Sequence, residues 1–131
     1  MDSSTPIQAV MTTFPHSIGV DQTLQVAKEM LREHGVRHLP VQRGGELLGV
    51  LTHRDIHFVL SVDKRQPSEM LVEDAYTQEP YIVDIDTPVR SVARRMAQDG
   101  LGCALVVQET RLVGIFTTVD ACRCLAEVLE A

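Results

Sequence analysis

Apolar and polar positions along the chain change their spacing in the same order twice. Strict alternation is typical of a half-buried strand, whereas apolar residues recurring every three or four positions indicate an amphipathic helix. Gly44-Gly45 separates two apolar runs, which is a hairpin signal. The elements predicted in the first half are a helical turn over 7–11, strands over 18–20, 36–41 and 47–51, and helices over 24–35 and 52–60.

The second half repeats this order. Shifting the sequence by 65 residues aligns ten identical pairs without a gap. The pairs are Thr12/Thr77, Pro15/Pro80, Asp21/Asp86, Gly35/Gly100, Val41/Val106, Leu47/Leu112, Gly49/Gly114, Thr52/Thr117, Asp55/Asp120 and Leu60/Leu125. The predicted elements are strands over 82–85, 102–107 and 112–116, a helix over 89–99 and a helix from Thr117 onward. Turn residues kept in constant register indicate a duplicated unit.

The duplication predicts one compact module of two repeats. The first repeat covers residues 6–60, a polar linker covers 61–70, and the second repeat covers 71–129. A unit of about 55 residues is marginal on its own. We therefore expect the two units to pack sheet against sheet about a pseudo-twofold axis, with clefts between them.

Composition removes several classes of protein. The chain has 131 residues, 44% of them hydrophobic, so it can bury a core. A net charge of -6 and an aromatic content of 4% weigh against nucleic-acid binding. No apolar run reaches the ~20 residues that span a bilayer. The polar N-terminus lacks a signal-peptide pattern, so we expect a cytoplasmic protein without membrane association.

The strongest local motif is Thr52-x-x-Asp55, which recurs as Thr117-x-x-Asp120 after the last strand of each repeat. This spacing is typical of a capping box, in which the threonine caps the helix and the acid bonds back to it. The same placement also suits a ligand, because an aspartate beside a helix N-terminus can accept both hydroxyls of a ribose. The two interpretations are compatible.

A basic cluster is predicted beside the first motif only. Arg37, His38, His53 and Arg54 fall near matching ends of neighbouring strands, and arginine suits a phosphate. The alternative is a solvated strand end in which Arg37 pairs with an acid such as Glu33. The corresponding positions of the second repeat include Gly102, Cys103 and Val119, which carry no positive charge.

The sequence carries no motif of an enzyme: it lacks a glycine-rich nucleotide loop, a Walker loop and a nucleophile elbow. We therefore expect no catalytic activity. His53 and His57 are four residues apart on one helix and form a candidate metal pair without an obvious third ligand. Cys103, Cys122 and Cys124 do not form a disulfide framework, and no base is predicted beside Cys103. No metal site and no cofactor are predicted.

The doubled order of His38-Leu-Pro-Val, a glycine turn and Gly49-Val-Leu-Thr-x-x-Asp55 resembles a cystathionine beta-synthase (CBS) domain pair, or Bateman module. The resemblance covers about residues 6 to 129. It implies a mixed α/β (α+β) fold of two β-α-β-β-α units. It also implies clefts that bind AMP, ADP, ATP or S-adenosylmethionine, and dimerisation into a disc.

The resemblance carries roles to particular residues. Asp55 matches the acid that binds ribose, Thr52 its hydroxyl partner, and Val50 an apolar contact to adenine. Arg37, His38 and Arg54 match positions that meet phosphates, and Leu101 and Gly102 would approach the base from the second repeat. A second, weaker site would use Thr117, Asp120 and Ile115.

Three functions follow as hypotheses. The first is a stand-alone, homodimeric regulatory module that binds an adenosine nucleotide in the inter-repeat cleft and signals to an unknown regulated protein by a conformational shift. The second is a structural dimerisation or adaptor module whose ligand sites are vestigial. The third is a redox- or metal-responsive protein that uses its cysteines or histidines.

Overall fold

The computed structural model describes all 131 residues and contains four α-helices and eight strands. The helices are α1 (Leu24–His34), α2 (His53–Val62), α3 (Val89–Asp99) and α4 (Thr118–Glu130). The strands are β1 (Thr12–Thr13), β2 (Ile18–Gly19), β3 (His38–Arg43), β4 (Glu46–Thr52), β5 (Thr77–Gln78), β6 (Ile82–Asp84), β7 (Cys103–Gln108) and β8 (Arg111–Thr117). Short 3-10 helices span Ile7–Ala9, Pro67–Glu69 and Val72–Asp74. The predicted mixed α/β fold class is confirmed.

The chain forms two compact units, each built around one four-stranded sheet. The central unit is His16–Pro80, with strand order β2-β3-β4-β5. The terminal unit combines Met1–Pro15 with Tyr81–Ala131, and its strand order is β1-β8-β7-β6. In each sheet the outer strand β2 or β6 is parallel to its neighbour and the other pairings are antiparallel.

The short strands β1 and β5 were not predicted from the sequence. Strand β1 lies near the start of the chain but pairs with β8, so that Thr12 is opposite Ile115. Strand β5 pairs with β4, and Thr77 is opposite Val50. Each compact unit therefore includes a two-residue strand that lies within the bounds predicted for the other repeat. The repeat boundaries at 6–60 and 71–129 stay a prediction about the duplication.

Each unit has its own apolar core. In the central unit the helices and sheet bury Leu24, Leu39, Leu51 and Ile56. Met70 belongs to this core with 1% of its surface exposed, and its carbonyl oxygen accepts a hydrogen bond from the Leu24 N–H at 2.8 Å. The predicted linker at 61–70 therefore ends in a packed residue. The core of the terminal unit is built from Ile7, Val83, Val89, Val92, Met96, Ala104, Val106, Phe116 and Cys124.

Local side chains and glycines set the ends of the helices. Thr23 caps α1 by accepting a hydrogen bond from the Val26 N–H, and Thr52 and Thr117 cap α2 and α4. Gly35 and Gly100 end α1 and α3 in the left-handed conformation, with φ of 63° and 66°. This conformation is accessible to glycine without the steric penalty of a Cβ.

Candidate functional site

The candidate site of the central unit is built where β4 ends and α2 begins. Thr52 lies at this junction, opposite His38 on β3. Its hydroxyl oxygen accepts a hydrogen bond from the Asp55 N–H at 3.0 Å, and its own N–H donates to Asp55 Oδ2 at 3.0 Å. The predicted capping box is therefore present, and it fixes the Asp55 carboxylate beside the first turn of the helix.

A second threonine holds the same carboxylate. The Thr77 hydroxyl on β5 lies 3.2 Å from Asp55 Oδ1 and 3.1 Å from Oδ2. No arginine, lysine or histidine forms an ion pair with Asp55. A carboxylate offers about four acceptor positions. Two protein donors, the Thr52 N–H and the Thr77 hydroxyl, leave about half of that capacity for a ligand.

The predicted basic residues Arg37 and Arg54 lie near the start of α2. The Arg37 carbonyl oxygen accepts the His53 N–H at 3.0 Å, which places Arg37 at the N-terminus of α2. Arg37 and Arg54 are exposed and neither forms an ion pair, so the alternative pairing of Arg37 with Glu33 is wrong.

His38 is half-buried beside these charges. Burial lowers its pKa, the nearby Arg37 charge lowers it further, and the Asp55 carboxylate acts in the opposite direction. At neutral pH the imidazole is therefore neutral, and it can accept or donate one hydrogen bond at each ring nitrogen. An anionic group placed between Arg37 and His38 would favour the protonated form.

The equivalent junction of the terminal unit is arranged differently. Asp120 caps α4 through Thr117, whose N–H donates to Oδ2 at 2.9 Å. The Thr117 hydroxyl lies 3.3 Å from the same oxygen, and the Thr12 hydroxyl lies 3.1 Å from Oδ1. Arg123 then donates from its guanidinium to Oδ1 at 2.8 Å. Only 3% of the Asp120 surface is exposed to solvent, and protein donors occupy its carboxylate.

The remaining predicted residues divide between the two units. Val50 is buried on β4 in the central unit, in register with Thr77. Ile115 is its buried counterpart on β8 in the terminal unit. Leu101 and Gly102 also belong to the terminal unit, where Leu101 packs against the core and the Gly102 carbonyl oxygen accepts the Thr118 N–H at 3.2 Å.

Sequence reasoning missed three residues that complete these arrangements. Thr12 and Thr77 were visible as an identical pair in the repeat, but nothing local connects them to an aspartate 108 or 22 positions away. Arg123 lies three residues after Asp120, a spacing that places both side chains on one face of a helix. This spacing was the available signal. The repeat itself gave none, because the equivalent residue of the first repeat is Phe58, which has no charge.

The thiols and histidines do not assemble a competing site. Burial raises the pKa of Cys103 to about 12, and burial also raises that of Cys124, so neither thiol is activated as a nucleophile. His53 Nε2 lies 3.1 Å from His57 Nε2. No cluster of three or more potential metal ligands is present. A cavity of about 440 Å³ between α1 and α2 is lined by His53 and His57 but not by Thr52 or Asp55.

Comparison with known proteins identifies the class. The CBS domain family matches residues 7–61 and 72–127, so the chain belongs to the CBS domain family and carries two copies of the domain. The predicted family resemblance is confirmed.

Individual relatives share this tandem arrangement. The inosine-5'-monophosphate dehydrogenase of Korarchaeum cryptofilum is 30% identical over 87% of this chain, which spans only 22% of that enzyme. The hypoxic response protein 1 of Mycobacterium tuberculosis strain H37Rv is 28% identical over 94% of this chain and 87% of its own length. A crystal structure of the CBS domain pair of protein MJ0100, in complex with 5'-methylthioadenosine and S-adenosyl-L-methionine, has a TM-score of 0.85 and 26% identity, and the match covers 94% of this chain and 97% of that one.

None of the four helices combines the length and the apolar character that a membrane crossing demands.

Proposed function

We propose that the chain is a regulatory module that binds an adenosine-containing nucleotide at the Asp55 site of the central unit. The observation that carries this proposal is the half-satisfied Asp55 carboxylate, which Thr52 and Thr77 hold in place without an ion pair. Two vicinal hydroxyls of a ribose would supply the missing donors. Hydrogen bonds to a charged acceptor are stronger than those between neutral groups.

The basic groups at this junction favour a phosphorylated ligand. Arg37 and Arg54 have no carboxylate partner, and His38 gains a proton most easily beside an anion. Arginine binds phosphate oxygens through its planar fork of donors. We therefore propose AMP, ADP or ATP ahead of S-adenosylmethionine, and Val50 as the apolar contact nearest the base.

The relatives support the adenosine part of this proposal. The CBS domain pair of MJ0100 was crystallised with two adenosine-containing ligands, and the matched region of the Korarchaeum dehydrogenase is one segment of a longer enzyme. We infer a binding role without catalysis for the same region here. Regulation of a partner would require that the ligand bind one conformation of the module more tightly than another.

A thermal-shift series tests the proposal. The unmodified chain is heated with AMP, ADP, ATP, S-adenosylmethionine or adenosine at millimolar concentration, because a ligand of the folded state raises the melting temperature by mass action. The variant Asp55→Asn should lose the shift. Asp120→Asn is the matched control, because it removes the same capping acid from the other unit and should retain the shift. Absence of any shift in the unmodified chain would refute the proposal.

Dimerisation is the second candidate function, and the exposed side of α4 favours it. Leu125 and Leu129 lie one helical turn apart with 59% and 75% of their surfaces exposed. An exposed apolar stripe of this kind indicates a surface that is covered in an assembly. We propose a homodimer through this helix. Light scattering should show a dimer for the unmodified chain and a monomer for Leu125→Glu. A monomeric unmodified chain would exclude the proposed dimer.

A further inference from the structure

The two aspartates of the repeat differ in what already occupies their carboxylates. Asp120 accepts hydrogen bonds from four donors: the Thr12 hydroxyl, the Thr117 N–H, the Thr117 hydroxyl and the Arg123 guanidinium. Asp55 accepts from two, the Thr52 N–H and the Thr77 hydroxyl. Since a carboxylate has about four acceptor positions, the Asp120 group is saturated and the Asp55 group is not.

Of the two additional donors at Asp120, the Thr117 hydroxyl has a counterpart in Thr52, whereas the Arg123 guanidinium has none in the central unit. Arg123 corresponds to Phe58 when the repeats are aligned, and both lie three residues after the capping aspartate. Phe58 has no polar donor, and 66% of its surface is exposed. Arg123 keeps its guanidinium 2.8 Å from Asp120 Oδ1 and also donates to the Val10 carbonyl oxygen at 3.2 Å. The second bond ties the same guanidinium to the segment that leads into β1.

We infer that Arg123 closes the terminal-unit site, so that the module binds one nucleotide per chain, at Asp55. This inference rests on the proposed function. The guanidinium N–H stands where a ribose hydroxyl would have to donate, and it neutralises the carboxylate that would accept that hydroxyl. A ligand could enter only after breaking an ion pair to a carboxylate with 3% exposure. Gly102 and Cys103 stand where the first repeat has Arg37 and His38. A phosphate would therefore find no basic partner there to compensate for the broken ion pair.

Exchange of the two equivalent residues tests the inference. Isothermal titration calorimetry with ATP and with AMP measures the number of sites per chain in four proteins: the unmodified chain, Arg123→Phe, Phe58→Arg and Arg123→Lys. We expect one site in the unmodified chain and two in Arg123→Phe. Phe58→Arg should weaken binding at Asp55 at least tenfold. Arg123→Lys keeps a cation beside Asp120 and should remain at one site. Circular dichroism confirms that each variant is folded.

The double variant Arg123→Phe/Asp120→Asn assigns the new site, because it should return to one. Two sites in the unmodified chain, or one in a folded Arg123→Phe, would overturn the inference and leave the proposed function standing. Two sites in the unmodified chain, one of them weakened in Arg123→Phe, would assign Arg123 to phosphate binding instead. No binding to the unmodified chain would refute the proposed function. In that case one site in Arg123→Phe would still support closure by Arg123, and none would overturn it.

Discussion

Thr77 donates its hydroxyl to both carboxylate oxygens of Asp55, at 3.2 and 3.1 Å, although 22 residues separate them in the sequence. Thr12 makes the same contact with Asp120 across 108 residues. In both units a two-residue strand delivers a threonine to the acid that caps the following helix. The capping box sets the position of the carboxylate, and this threonine sets its orientation.

Replacement of Thr77 by valine should weaken nucleotide binding about tenfold, because the Asp55 carboxylate would lose the contact that holds it in the orientation the ligand hydroxyls require. Valine has nearly the same shape, so β5 should remain paired with β4. Titration of the unmodified chain and of the variant with ATP gives the ratio of dissociation constants. Thr12→Val alters the matched contact at Asp120 and should leave the affinity unchanged. Equal losses in the two variants would contradict a site at Asp55.

His38 should make the stability of the chain depend on pH. Its pKa in the folded protein lies below the ordinary value of 6.5, so below that pH the unfolded chain binds more protons than the folded one. The free energy of unfolding should therefore fall as the pH is lowered from 6.5 through the folded pKa. Urea denaturation at pH 7.5 and 5.5 measures it. His38→Gln should lose less stability over this range, and an identical loss would contradict a buried neutral imidazole.

Gly49 should not tolerate alanine, because a Cβ at this position would overlap the Thr77 carbonyl oxygen and the Tyr76 ring. We expect Gly49→Ala to destabilise the chain by about 2 kcal/mol or more and to displace β5. Gly114→Ala is the matched control: its Cβ would meet the Met11 side chain, which can move aside. Urea denaturation compares the two. A smaller loss for Gly49→Ala than for Gly114→Ala would contradict the close approach of β5.

The hairpin turns of the two units have the same backbone and different residues. Gly44 and Gly45 have φ of 55° and 87°, and Glu109 and Thr110 occupy the equivalent positions with φ of 51° and 69°. Left-handed backbone costs an L-residue about 1–2 kcal/mol, and part of that is recovered through a more restricted unfolded chain. Thr110→Gly should therefore stabilise the chain by about 0.5–1 kcal/mol in thermal denaturation. Destabilisation would show that Thr110 is not strained.

The local elements were predictable because each had a local cause. Helix α3 was predicted over 89–99 and forms over Val89–Asp99, since its apolar spacing and Gly100 fix both its face and its end. The capping acids Asp55 and Asp120 followed from spacing alone. Strands β1 and β5 were missed because two residues are too few to show alternation. Arg123 was missed because spacing gives a helix face, whereas its hydrogen bond to the Val10 carbonyl oxygen depends on the tertiary fold.

The central claim is that a nucleotide binds at Asp55 in the central unit. The most direct measurement is titration of the ¹⁵N-labelled chain with ATP, observed by the chemical shifts of its assigned backbone amides. The account predicts that the amides of Arg37, His38, Asp55 and Thr77 shift together and saturate with one dissociation constant, while those of Thr117 and Asp120 stay close to their starting positions. Chemical-shift changes that are larger at Thr117 and Asp120 than at the Asp55 site, or no saturable change anywhere, would contradict it.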